Sequence, residues 1–199
     1  PYGAEFTGMD ISENQIKTAE KLSEEAGMDI RFLSGPAEQL DFPDGSFDVV
    51  TACQCYFYFK HEQLAPVLAR VLKPSGRFVI LYMAWLPEED PIAGASEELV
   101  LKYNPSWTGK GETRHYIAVP EAYGKYFTVE SNEIYDLQIP FTRESWDGRI
   151  RACRGIGASL SEKEVEAFTK EHRRLLETIA PEEFTILHYA GMAVLRKKD

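Results

Sequence analysis

The residue types able to do chemistry begin with Asp10. It closes a short run, Phe6-Thr7-Gly8-Met9, that reads as a buried strand, and a helix starts directly after it at Ser12. Doubly wound folds hold the ribose of a nucleotide-like cofactor with a carboxylate at the carboxyl end of a parallel strand, because its oxygens can accept from both hydroxyls. The plainer alternative is a loop Asp that helps to cap the next helix. Tyr56-Phe57-Tyr58-Phe59 follow another strand, where aromatic faces can hold a cationic ligand or simply pack in the core. Four histidines are candidate general bases. His172 falls in a helical stripe and His188 in the last strand, so both read as structural; His61 and His115 are better placed. Arg149 and Arg151 could grip a carboxylate in bidentate fashion, or belong to a solvated basic face. Cys53 and Cys55 fall on one face of a strand end by alternation. A zinc site needs about two more ligands, none is near in sequence, and no metal is expected.

The elements that must position these groups are legible from pattern. Ser12 and Gln15 form a capping box, Ile16, Ala19, Leu22 and Ala26 share a helical face, and Gly27 suits the position after the last turn. Strands follow over 30–34 and 47–53, separated by a loop with Pro43-Asp44-Gly45 turn chemistry. The third strand is apolar enough to be buried on both faces. Leu64, Val67, Leu68, Val71 and Leu72 mark a helix over 62–72, stopped by Lys73-Pro74-Ser75-Gly76, and 77–83 is a fourth strand. This alternation means a parallel α/β sheet with right-handed crossovers. Residues 86–127 are looser and aromatic (Trp85, Tyr103, Trp107 and Tyr116 lie in or beside them), with helices near 93–103 and 120–126. They form either a lid over a substrate or a satellite hydrophobic cluster. Then come a strand over 127–137, a helix from Arg143 to about Cys153 capped by Thr142, a helix opened by the Ser161/Glu164 capping box, and a closing strand over 184–195.

Length and composition set the outer bounds. The 199 residues suffice for one domain, 1–199, with 44% apolar and 27% charged residues as in ordinary globular proteins. A net charge of −10 argues against nucleic-acid or anionic-membrane footprints. No apolar run approaches the ~18 residues that span a membrane. Three cysteines suggest free thiols in a reducing, cytoplasmic setting.

Three blocks in order carry a family resemblance: Gly8-Met9-Asp10-Ile11-Ser12, then Gly35-Pro36-Ala37-Glu38-Gln39-Leu40-Asp41-Phe42-Pro43-Asp44-Gly45-Ser46-Phe47-Asp48-Val49-Val50, then Val71-Leu72-Lys73-Pro74-Ser75-Gly76-Arg77-Phe78. Together they resemble the small-molecule branch of the class I S-adenosylmethionine-dependent methyltransferases. The resemblance implies a Rossmann-like, mostly parallel sheet with helices on both faces and an antiparallel C-terminal strand. It implies S-adenosylmethionine as cofactor and a small-molecule acceptor, on a monomer or homodimer. Asp10 matches the ribose acid, Ile11 the apolar residue against the adenine, and Ala37 the loop whose backbone reads the adenine edge. Cys53, Gln54, Cys55 and Tyr56 match the strand end bordering the methionine part. Tyr56, His61 and His115 are the candidates for the catalytic role. Pro36 stands where the family usually has a carboxylate, so Glu38 or a backbone carbonyl is expected to substitute. The family's glycine-rich loop belongs roughly twenty residues before the acid, and only nine residues precede Asp10. The first family strand and that loop are therefore expected to be missing, leaving a gap beside the Phe6 strand, and the chain to be part of a longer protein. Two other readings stand beside this one. One is a nicotinamide-dependent oxidoreductase using the same ribose acid. The other is a non-catalytic methyltransferase-like binding module.

Overall fold

The computed structural model describes residues 3–198. The chain divides into two compact units. The first comprises Pro1–Ile80, Ala118–Ser131 and Val194–Asp199; the second comprises Leu81–Ile117 and Asn132–Ala193.

In the first unit, β1 (Phe6–Asp10) lies parallel to β2 (Ile30–Ser34), with Asp10 opposite Ser34. Between them runs α1 (Glu13–Glu25), where the Ser12 hydroxyl accepts from the Gln15 amide at 3.4 Å and Gly27, at φ +63°, turns the chain out of the helix. Then come β3 (Phe47–Cys53), α2 (His61–Val71) and the start of β4 (Leu72–Trp85). The face of α2 is what periodicity dictates: Leu64, Ala65, Leu68 and Val71 are buried. β4 begins directly after α2, so the residues read as a stop run into the strand, with Ser75 in the left-handed region at φ +59°.

Two burial expectations are corrected. The β1 strand is not buried: Phe6 is 61% exposed. Its sheet has only β1 and β2, so among the described residues one edge of β1 meets no strand. In β3 only Ala52 is buried, because β3 is an edge strand of the four-stranded sheet ordered β3-β4-β6-β5. The remaining strands of that sheet are β5 (Phe127–Thr142) and β6 (Glu183–Lys197), both longer than their patterns suggested. The fold is the mixed α/β, mostly parallel arrangement with an antiparallel closing strand that the resemblance implied.

The second unit is built on α3 (Pro91–Tyr103), α4 (Arg143–Arg151) and α5 (Glu162–Ile179), with Asp90, Thr142 and Ser161 as their N-caps. Its core gathers Trp85, Ala93, Leu99, Val100, Trp146, Ile150, Ile156, Phe168, Leu176 and Ile186. Trp107 and Tyr103 pack against this cluster, whereas Tyr116 is 61% exposed. Three of the four aromatics of the looser stretch are therefore packing residues. No helix among the described residues is long and apolar enough to cross a membrane.

Candidate functional site

The residues expected to hold a cofactor all lie in the first unit, at the carboxyl ends of β1, β2 and β3. Asp10 is exposed, and its Oδ1 accepts from the Ser12 amide at 2.7 Å. So the capping reading and the ligand reading coexist: a carboxylate has roughly four acceptor positions, and the Ser12 amide fills one. Beside it Ile11 is 76% exposed, an apolar surface in the open. The Gly35 amide donates to the Asp10 carbonyl at 3.0 Å, tying the loop after β2 to the end of β1. Ala37 and Glu38 lie in a short 3-10 turn, Ala37–Gln39, and are half-buried. Glu38 Oε1 accepts from the Lys60 amide at 2.7 Å, so it caps the start of α2, where Lys60 makes no side-chain cap. One oxygen of the proposed substitute for the family carboxylate is thereby committed to the fold.

At the end of β3 the alternation expected of Cys53 and Cys55 breaks. Gln54 is left-handed at φ +58°, which turns the chain, so Cys53 is exposed and Cys55 half-buried. Burial pushes the Cys55 thiol upward, and the Cys53 and Asp10 charges add to this. That coupling brings Asp10 and the two cysteines into one neighbourhood. An exposed carboxylate, an exposed apolar side chain and the ends of three strands suit a nucleoside with a ribose diol.

The catalytic candidates divide between the units. Tyr56, in the first, is 3% exposed and donates its hydroxyl to the Ala118 carbonyl at 2.8 Å. Burial raises its phenol far above the ordinary value, so it stays protonated. The His61 ring lies 4.7 Å from Tyr56, and its Nδ1 is 3.0 Å from the Tyr123 hydroxyl. Burial lowers His61, while the Glu62 and Glu38 carboxylates pull the other way. His115, in the second unit, lies in a cluster the sequence did not reveal. Its Nδ1 is 2.8 Å from the Tyr189 hydroxyl, which donates to Glu112 Oε1 at 2.5 Å. The Tyr82 ring stands 5.6 Å from His115.

His172 and His188 are buried, as expected of structural histidines. Arg149 stacks over Trp85 at 4.8 Å and so has a packing role. A groove of about 550 Å³ is lined by Arg151, the other arginine considered for a carboxylate, with Thr169, Lys170 and Glu177, and contains none of the residues expected to bind cofactor or to act as the base.

Residues 1–80 match the family model described as a methyltransferase domain. Over those residues the chain is similar to methyltransferases. It is 38% identical over 151 residues to a protein named uncharacterized methyltransferase YcgJ of Bacillus subtilis, covering 73% of this chain and 56% of that one. With the demethylmenaquinone methyltransferase of Thermus thermophilus it shares 40% identity over 80 residues, 40% of this chain and 36% of the relative. The chain thus spans about half, or less, of these curated relatives. Among solved structures, that of YcgJ from Bacillus subtilis superposes with a TM-score of 0.50 at 22% identity, covering 98% of this chain and 83% of the other. A structure from work on converting a disulfide bond into a thioacetal group in echinomycin biosynthesis reaches 0.58 at 14% identity, covering 98% and 67%. These likenesses speak to the fold alone.

Proposed function

We propose that this chain carries out S-adenosylmethionine-dependent methyl transfer to a small-molecule acceptor. The observation that carries the reading is the exposed Asp10 carboxylate at the end of β1, with Ile11 in the open beside it and the Cys53–Cys55 strand end within its electrostatic reach. When bound, the cofactor supplies an electrophilic methyl group on a sulfonium. Asp10 would accept from the ribose hydroxyls, Ile11 would lie against the adenine, and the backbone of Ala37 and Glu38 would meet the adenine edge. Cys53 and Gln54 would border the methionine part.

An acceptor that loses a proton on methylation needs a base. His61 and His115 fill that role as candidates. Tyr56, buried and protonated, supports His61 by ring contact rather than by exchanging protons. Support for the small-molecule class comes from the relatives, which include proteins named demethylmenaquinone methyltransferase and phthiotriol/phenolphthiotriol dimycocerosates methyltransferase. Residues 86–127 would serve as the substrate lid of a single functional domain. A cytoplasmic location and a monomer or homodimer complete the reading.

Isothermal titration with S-adenosylhomocysteine, with NAD in parallel, tests it. Micromolar binding of the first alone supports the reading. Binding of NAD alone overturns it in favour of an oxidoreductase, and binding of neither points to a binding module.

A further inference from the structure

One face of α5 carries cations that the fold leaves largely unused. Arg151, in the last turn of α4, and Lys170, Arg173 and Arg174 of α5 line the groove of about 550 Å³, all within the second unit. Glu166 and Glu177 are the carboxylates of the lining. Four positive charges thus stand against two negative ones, in a chain whose net charge is −10.

Spacing makes this arrangement costly to the helix. Lys170 lies three residues from Arg173 and four from Arg174, so like charges share neighbouring turns, which destabilises a helix. Glu166 and Glu177 stand four residues from Lys170 and Arg173, where each could compensate. Among the described residues neither does so, and Arg151, Lys170 and Arg174 pair with no carboxylate. Local rules broken without a gain in stability are characteristic of functional surfaces.

Arg173 is set from beneath. Its Nε donates to Oδ2 of Asp147 at 3.0 Å, and that carboxylate is fully buried, with His172 at 3.0 Å from its other oxygen. One of five guanidinium N–H donors is thereby spent on the fold. The four on the terminal nitrogens remain, on a planar fork that the buried carboxylate orients. Such a fork meets the oxygens of a phosphate or carboxylate two at a time. The Thr169 hydroxyl gives its proton to the Val165 carbonyl at 2.7 Å, so the side-chain donors left to a ligand come from the cations.

Size and charge narrow the ligand. The volume falls among small-molecule sites, roughly 300–1,000 Å³. A long polyanion is repelled by the rest of an acidic surface, whereas a small anion feels mainly the charges within a screening length of about 8 Å. We propose that the groove between the end of α4 and α5 binds a small molecule bearing two or more negative charges on phosphate or carboxylate groups. Arg173 is its preset fork, and Arg151, Lys170 and Arg174 supply the surrounding charge. The inference stands on the second unit alone and is independent of the methyltransferase reading.

Isothermal titration of the whole chain at physiological salt tests it, with pyrophosphate in one arm and citrate in the other. Sub-millimolar binding of either supports the proposal, and the stronger arm tells phosphate from carboxylate. Arg151→Gln, Lys170→Gln and Arg174→Gln, all at exposed positions, should each weaken binding about 3-fold, the reach of one exposed ion pair, and the triple variant should abolish it. Arg173→Lys keeps the charge but loses the fork, and should weaken binding as well. Lys163→Gln removes the same charge from an exposed position of α5 outside the groove and should leave the affinity unchanged. Circular dichroism verifies that each variant is folded. Binding of neither anion, or an equal loss in Lys163→Gln, overturns the proposal. Binding of poly-glutamate alone also overturns it, and assigns the face to an acidic protein segment.

Discussion

Nδ1 of His172 lies 3.0 Å from Oδ1 of Asp147, and neither side chain is exposed to solvent. The pair pins α5 to α4, and His172 Nε2, 3.1 Å from the Ser96 hydroxyl, extends the network to α3. Ser96 in turn accepts from the Trp146 indole and donates to the Ile92 carbonyl. The order Asp, His, Ser resembles a nucleophilic triad, but complete burial and a serine already engaged on every side make it a structural clamp. Breaking a buried charged pair from one side costs about 3–5 kcal/mol. Asp147→Asn should show a loss of that order in denaturant unfolding, with cofactor binding retained in the folded fraction.

The same carboxylate sets an acid limit. Burial alone would raise Asp147, but hydrogen bonds from His172 and Arg173 and their charges outweigh it and hold the group below the ordinary range. A depressed carboxylate adds stability above its unfolded value, about 3.9, and that stability disappears as pH falls through the folded value. The acid limb of a stability-versus-pH curve should therefore be shallower in Asp147→Asn than in wild type. Equal limbs would show that Asp147 carries no such linkage.

His188 works at higher pH in the same direction. Its Nδ1 donates to the Ile186 carbonyl at 2.9 Å, and its ring is stacked on Phe141. Burial lowers its affinity for a proton. The unfolded chain, protonating near pH 6.5, binds that proton first. Stability should fall as pH drops through the histidine range, with the chain most stable above it. His188→Phe should flatten that part of the curve even if its absolute stability changes.

Element positions were legible in the sequence because they depend on local chemistry. Ser12, Gly27, Thr142 and the Ser161–Glu164 pair act within a turn of where they stand, and each cap is where its residue type predicts. Burial of β1 and β3 was not legible, since a strand's exposure depends on which neighbours flank it in the sheet. The face of Cys55 was lost because Gln54 adopts a left-handed backbone that glutamine has no special tendency to signal. His115 stood out as a base candidate, yet its partners did not. Glu112 is three residues away on no regular element, and Tyr189 is reached only through the fold.

Glu97 is a buried carboxylate held by two indoles: Trp85 Nε1 donates to Oε1 at 2.7 Å and Trp107 Nε1 to Oε2 at 2.5 Å. Burial raises the group despite both bonds and the nearby charge of Lys110. Trp107→Phe keeps most of the packing but strands Oε2. An unsatisfied buried acceptor costs about 1–3 kcal/mol, so this variant should unfold at lower denaturant, whereas Tyr116→Phe at an exposed ring should not.

Asp10 and Glu38 give a test in which binding and stability separate. Each accepts one backbone amide, Ser12 for the first and Lys60 for the second. Glu38 anchors the start of α2 from 22 residues away, so Glu38→Ala removes a cap and should cost about 0.5–2 kcal/mol of stability. Asp10 is exposed at a strand end, so Asp10→Ala should change stability by less than about 1 kcal/mol. If Asp10 receives the ribose hydroxyls, the ranking reverses for S-adenosylhomocysteine. Asp10→Ala should weaken it roughly 5- to 150-fold, the equivalent of ~1–3 kcal/mol, and Asp10→Asn should fall between, since an amide oxygen still accepts. Paired titration and unfolding curves on the three variants decide the matter. Unchanged affinity in a folded Asp10→Ala variant removes Asp10 from the site and leaves it as the cap of Ser12 alone.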